Sequence, residues 1–98
     1  MTATDLDATL AELTDLLRSV GATWWADHVA QVAARVAAGA DPSVASWMFG
    51  GSGSLTDLVI HPLNGHTVDR LRLGEVNDRL GELRSRVYAA AFPKRWMS

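Results

Sequence analysis

The sequence predicts a mainly α-helical single domain of about four helices over residues 1–98. Three observations carry this prediction. Apolar residues recur at alternating steps of three and four along the long stretches, which is the repeat of one helix face. Glycine, proline and capping residues punctuate the chain between those stretches. A length of 98 residues suits one core and leaves no room for a second.

In the first helix, about residues 5–20, Leu6, Leu10, Leu13, Leu17 and Val20 form one stripe. Thr4 with Asp7 resembles a capping box, and Gly21 supplies a left-handed stop. The second helix begins after Thr23 as N-cap and carries Trp25, Val29, Val32 and Val36 among alanines small enough for another backbone to approach. Gly39 ends it. Only Gly21 and Ala22 join the two, so an antiparallel helical hairpin is expected. Asp41-Pro42-Ser43 is a helix start, with an Asp cap and proline at the first helical position. Ser43 to Phe49 then make about two turns with Val44, Trp47 and Met48 on the apolar face.

Gly50-Gly51-Ser52-Gly53 must break that helix. Beyond it, Ser54-Leu55-Thr56-Asp57 fits another capping box, whereas Leu58-Val59-Ile60-His61 is extended in character. Pro62 forbids further helix and Asn64-Gly65 is a hairpin turn signal. Residues 57–68 therefore fit either a short β-hairpin, with strands of roughly 57–61 and 66–68, or a helical turn. The fourth helix, about Leu71 to Ala91, carries Leu73, Val76, Leu80, Leu83 and Val87 and stops before Pro93. Arg72–Glu75, Glu75–Arg79 and Glu82–Arg86 are spaced for ion pairs on its solvated side. Gly74 and Gly81 lie one heptad apart inside this helix, each costing roughly 1 kcal/mol against alanine. Close approach of another helix, from this chain or a second copy, would offset that cost. Asn77 is either solvated or a polar contact that fixes register.

A composition of 48% hydrophobic and 20% charged residues excludes disorder. No cysteine is present, which excludes disulfides and thiolate metal sites and fits a reducing cytoplasm. Asp5 and Asp7 stand where a signal or transit peptide would be basic, and no apolar run approaches ~18 residues. Neither secretion nor membrane spanning is expected. Residues 1–50 hold Arg18 and Arg35 against six carboxylates, while residues 51–98 hold seven cations against five carboxylates. Such halves suit complementarity within the molecule or between subunits and make a poor nucleic-acid footprint.

The glycine run is the sharpest motif, because exposed backbone N–H groups ahead of a helix cradle phosphate. A Walker A loop needs lysine after its last glycine, and Ser54-Leu55 follow Gly53 instead. The dinucleotide fingerprint fails at Thr56, and Asp57 would repel a phosphate. An architectural turn is the favoured reading, and small-ligand or anion binding at Gly50 to Ser54, reached by Arg70 or Arg72, is the alternative. His28, His61 and His66 include no i, i+4 pair of the metal-binding kind, so no metal or cofactor is expected; His61 and His66 would face each other only across a hairpin. Asp27-His28 resembles part of a charge relay with no placed nucleophile, so no catalytic residue is assigned. Four tryptophans are many for this length. Trp24 and Trp25 point about 100° apart on a helix, so one packs while the other sits at a rim. Trp24, Trp47 and Trp96 either cover core edges or mark a partner surface.

At Phe49-Gly50-Gly51-Ser52-Gly53-Ser54-Leu55-Thr56-Asp57-Leu58-Val59-Ile60 the chain resembles a family of small bacterial proteins with the signature Phe-Gly-Gly-Met-Gly-Ser, then Leu or Phe, then Asn-Asp-Leu. Ser52 replaces the usual methionine and Thr56 the usual asparagine. The likeness extends more faintly over residues 24–91. It implies a compact intracellular protein, similar to small immunity or accessory proteins that bind another protein, and it transfers no catalytic residues. The expected function is a non-enzymatic protein-interaction module. Trp24, Trp25, Trp47, Gly74, Asn77 and Gly81 are its candidate contacts and a homodimer its favoured form.

Overall fold

The computed structural model describes residues 3–49 and 54–92. Three α-helices dominate: α1 (Ala3–Ser19), α2 (Thr23–Ala37) and α3 (Leu73–Ala91). Between α2 and α3 lie a 3₁₀ helix, Pro42–Phe49, and three single 3₁₀ turns, Leu55–Asp57, Pro62–Asn64 and Arg70–Arg72. The mainly helical class holds, and no β-strand occurs among the described residues.

The leucine stripe of α1 does what its spacing dictates, since Leu6, Leu10, Leu13 and Leu17 are all buried. It packs against Val29, Val32 and Val36 of α2 and Val76, Leu80, Leu83 and Val87 of α3 in one core. Thr9 and Thr14 are buried at the edge of this stripe because each hydroxyl donates to the carbonyl four residues back. The α1–α2 hairpin is set by a Schellman motif at Gly21, whose φ is +77°. Gly21 N–H donates to Arg18 C=O at 3.1 Å and Ala22 N–H to Leu17 C=O at 2.9 Å. Gly39, with φ +101°, ends α2 in the same way through Val36 and Arg35. Thr23 is not the cap of α2: Ala22 holds that position with no side-chain bond, and Thr23 begins the helix. Likewise α1 already starts at Ala3, so Thr4 lies within it.

The third helix is 3₁₀ rather than α, and this changes its faces. Three residues per turn align Ala45 with Met48, both buried, and Val44 with Trp47. Trp47 therefore turns outward instead of sharing a core face with Met48.

The hairpin alternative for residues 57–68 gives way to helical turns. A two-residue type I′ turn needs positive φ at both Asn64 and Gly65, and only Gly65, at +84°, has it. Asn64 instead ends the Pro62–Asn64 turn, donating its N–H to His61 C=O at 2.9 Å, and Gly65 closes it through Pro62. Nor does Ser54 form a capping box, because its side chain makes no bond to the Leu55–Asp57 turn.

Two side chains of α3 hold this segment in place. Asn77 Oδ1 accepts from Ile60 N–H, and its Nδ2 donates to Ile60 C=O and Leu73 C=O, all at 2.9 Å. Arg84 Nη1 donates to the carbonyls of Leu55, Thr56 and Leu58 at 3.0, 3.2 and 3.3 Å. Arg79 bridges α3 to α1 by pairing with Glu12 as well as with Glu82, the latter at 2.7 Å. Of the pairs expected from spacing, Arg72–Glu75 forms at 3.9 Å, whereas Arg79 turns from Glu75 to Glu12 and Glu82, and Glu82 therefore takes Arg79, not Arg86, as its hydrogen-bonding partner.

Candidate functional site

The α2 N-terminal turn and the Pro42–Phe49 helix bring four rings together. Trp24 and His28 share a face of α2 because they are one turn apart, and their rings stack with centroids 3.8 Å apart and planes 21° from parallel. Trp25 projects from the adjoining face. It meets Trp24 edge-on at 4.8 Å and lies nearly parallel to Trp47 at 6.1 Å. His28 and Trp47 close the group edge-to-face at 5.8 Å. Trp25 is half-buried against the core, whereas Trp24 is 57% exposed and Trp47 48% exposed. The expected division of the adjacent tryptophans, one packed and one at the rim, is what α2 produces.

His28 is fixed as well as stacked. A carbonyl only accepts, so Nδ1–H of His28 donates to Trp24 C=O at 2.7 Å. Asp27 beside it turns to Arg18 at 3.6 Å, so the two residues take different partners and form no charge-relay pair. An exposed indole cluster of this kind buries large, rigid apolar area at low entropic cost, and its outer ring faces accept cations.

The remaining sequence candidates do not join this cluster. Gly50, Gly51, Ser52, Gly53 and Trp96 lie outside the described residues. Of the glycine-loop motif, Ser54 is buried and Asp57 is exposed at the end of its turn. Phe49 meets Tyr88 edge-on at 5.3 Å and Phe92 at 6.3 Å. A cavity of about 510 Å³ lies there, between Phe49, Thr56, Arg84, Tyr88 and Ala89. Asn77 is spent inside the molecule on Ile60, which makes it a register-fixing contact and not a surface one. Around Gly74 nothing lies within 4 Å of an added Cβ, and around Gly81 only Arg84 Nη2 does, at 4.0 Å. No helix of the described chain approaches either glycine.

His61 and His66 do come together, but as acceptors. Leu63 N–H donates to His61 Nδ1 at 3.0 Å and His61 N–H to His66 Nδ1 at 3.2 Å. Both rings then carry their proton on Nε2, which leaves neither nitrogen with a lone pair for a metal. Among the described residues no three His, Cys, Asp or Glu side chains gather as a metal site.

The sequence reading missed His28 as a partner of Trp24, although their i, i+4 spacing, which makes rings on a helix neighbours, was the signal for it. It also missed Arg84 and the Arg79–Glu12 bridge, whose partners lie 26 to 67 residues away along the chain. No described helix is long and apolar enough to cross a membrane. Comparison with curated proteins and with solved structures finds no match. The model of a domain of unknown function (DUF6966) matches residues 18–69, more than half of the chain and the stretch that holds all four clustered rings, and the chain belongs to that family.

Proposed function

We infer that this protein is a non-enzymatic protein-interaction module whose contact surface is centred on Trp24, Trp25, His28 and Trp47. The observation that carries the reading is the exposure of two of three clustered indoles, since aromatic anchors are enriched at interfaces. A second copy of the chain is the favoured partner, and the open flank of α3 at Gly74 and Gly81 offers it a further contact. An immunity-like or accessory role in a bacterial cytoplasm is the finer form of this reading and rests on the sequence resemblance.

Sedimentation equilibrium across micromolar to millimolar protein tests self-association. Trp24→Ser with Trp47→Ser should shift the equilibrium toward monomer if the indole face is the contact. Gly74→Gln with Gly81→Gln should do so if α3 is. A wild-type chain that stays monomeric over the whole range, with unchanged tryptophan fluorescence, overturns self-association.

A further inference from the structure

Three of the 3₁₀ segments open on a side chain that accepts a backbone N–H two residues ahead. Asp41 accepts from Ser43 at 2.9 Å, Asp69 from Leu71 at 2.9 Å and His61 from Leu63 at 3.0 Å. The first two acceptors are carboxylates, and the third is the Nδ1 of an imidazole. A carboxylate remains an acceptor through neutral and mildly acidic solution. An imidazole accepts only while neutral, because the protonated ring carries N–H at both nitrogens. The same turn uses a second bond of this kind, from His61 N–H to His66 Nδ1. Protonation of either ring sets an N–H against a backbone N–H.

The turn hangs between two points that do not depend on protons in this range. Upstream, buried Ile60 is held on both sides of its peptide by Asn77. Downstream, Thr67 N–H donates to Val20 C=O at 2.8 Å. Of the charged groups on the adjoining elements, Arg18 pairs with Asp27, Arg72 with Glu75, and Asp69 is held by Leu71 N–H. Asp57 precedes the turn in the chain and Asp78 follows Asn77.

We propose that residues 61–66 form a proton-operated latch, closed while His61 and His66 are neutral and loosened by acidification, with Ile60 and Thr67 as its fixed ends. Leu63, a residue 87% exposed, rides on the part that loosens. The carbonyl-accepted bonds of the turn, Asn64 to His61 and Gly65 to Pro62, are unaffected by protonation, so the response is local.

Amide exchange on the full chain, corrected for intrinsic rates and compared at about pH 7.5 and about pH 5, reads the latch directly. Protection of Leu63 should fall about tenfold at the lower pH, because a protonated imidazole has no lone pair with which to accept the Leu63 N–H. Ser43 and Leu71, capped by carboxylates, should keep theirs. His61→Asn, whose amide oxygen accepts at either pH, should remove the pH dependence at Leu63. His66→Asn should do the same at His61, which keeps the test decisive if the first variant folds poorly. Equal protection of Leu63 at both pH values, or a fall shared by Ser43 and Leu71, overturns the proposal.

Discussion

At Asn77 a single amide makes three hydrogen bonds, two of them to the peptide groups of Ile60, seventeen residues away. It sits one position past buried Val76, so its side chain leaves the helix at the rim of the core, where a backbone can reach it. Truncation to alanine strands the Ile60 N–H and C=O next to an apolar interior, which costs about 1–3 kcal/mol. For a domain of this size each kcal/mol lowers Tm by roughly 4–8 °C, so Asn77→Ala should melt well below wild type when followed by circular dichroism. Asn77→Asp should be no better at neutral pH, because its carboxylate would face two carbonyl oxygens. Asp41 carries a pH-dependent term of its own. The Ser43 N–H, and secondly the Ser43 hydroxyl, hold its carboxyl below the usual range. A depressed folded value means that the contribution is fully present above the unfolded value, near 3.8, and is lost as pH falls through the folded one. Glu82, held down first by its hydrogen bond to Arg79, has the same sign. Asp41→Asn, which still caps, should leave neutral stability nearly unchanged and flatten the loss of urea resistance below about pH 4. An unchanged acid limb in that variant would remove Asp41 from the account.

The elements show where the amino-acid pattern was informative and where geometry took over. Helices α1, α2 and α3 were legible because their buried residues keep a repeat near 3.6, and glycine stops at 21 and 39 appear as expected. The Pro42–Phe49 helix was legible as helix but not in its winding, since an eight-residue apolar stretch offers too few turns to separate a repeat of 3.0 from one of 3.6. The Asn64-Gly65 pair signalled a turn correctly but not its type, because Pro62 fixes a 3₁₀ start that the hairpin geometry cannot share. The glycines divide into two classes with opposite expectations. Gly39 has open space around an added Cβ, yet its φ of +101° is costly for any L side chain, so Gly39→Ala should destabilise by about 1 kcal/mol. Gly81 has helical backbone and the same freedom, so Gly81→Ala should stabilise by about 0.5–1 kcal/mol in urea titration. Gly74 lies in the first turn of α3, where helix propensity counts for less, and its alanine variant should gain less. A Gly81→Ala variant whose advantage over wild type shrinks or reverses as protein concentration rises would mean that another chain occupies that flank.

Seen over the whole molecule, the family match and the fold do not share boundaries. Residues 18–69 contain the indole cluster, the 3₁₀ helix and the latch, but they exclude nearly all of α1 and the whole of α3. The excluded parts supply Leu6, Leu10, Leu13 and Leu17 on one side and Val76, Leu80, Leu83 and Val87 on the other, most of the large side chains of the core. They also supply Asn77 and Arg84, without which Ile60 and the carbonyls of Leu55, Thr56 and Leu58 lose the side-chain partners seen here. The ring cluster divides by the same scale: Trp24 and His28 meet within one helix, whereas Trp47 reaches them only because the 3₁₀ helix packs on both α3 and α2. What remains in the fragment is one 15-residue α-helix, the eight-residue 3₁₀ helix and two single turns, and an α-helix of that length is marginal alone in water. A chain cut to residues 18–69 should therefore show weak far-ultraviolet ellipticity and no cooperative urea transition, with tryptophan emission at the wavelength of solvated indole. Mixing it with a chain of residues 70–98 should not restore the transition, because the α1 stripe would still be missing. A sharp, two-state melt from the fragment alone would place the folding unit inside the matched stretch and reduce α1 and α3 to additions around it.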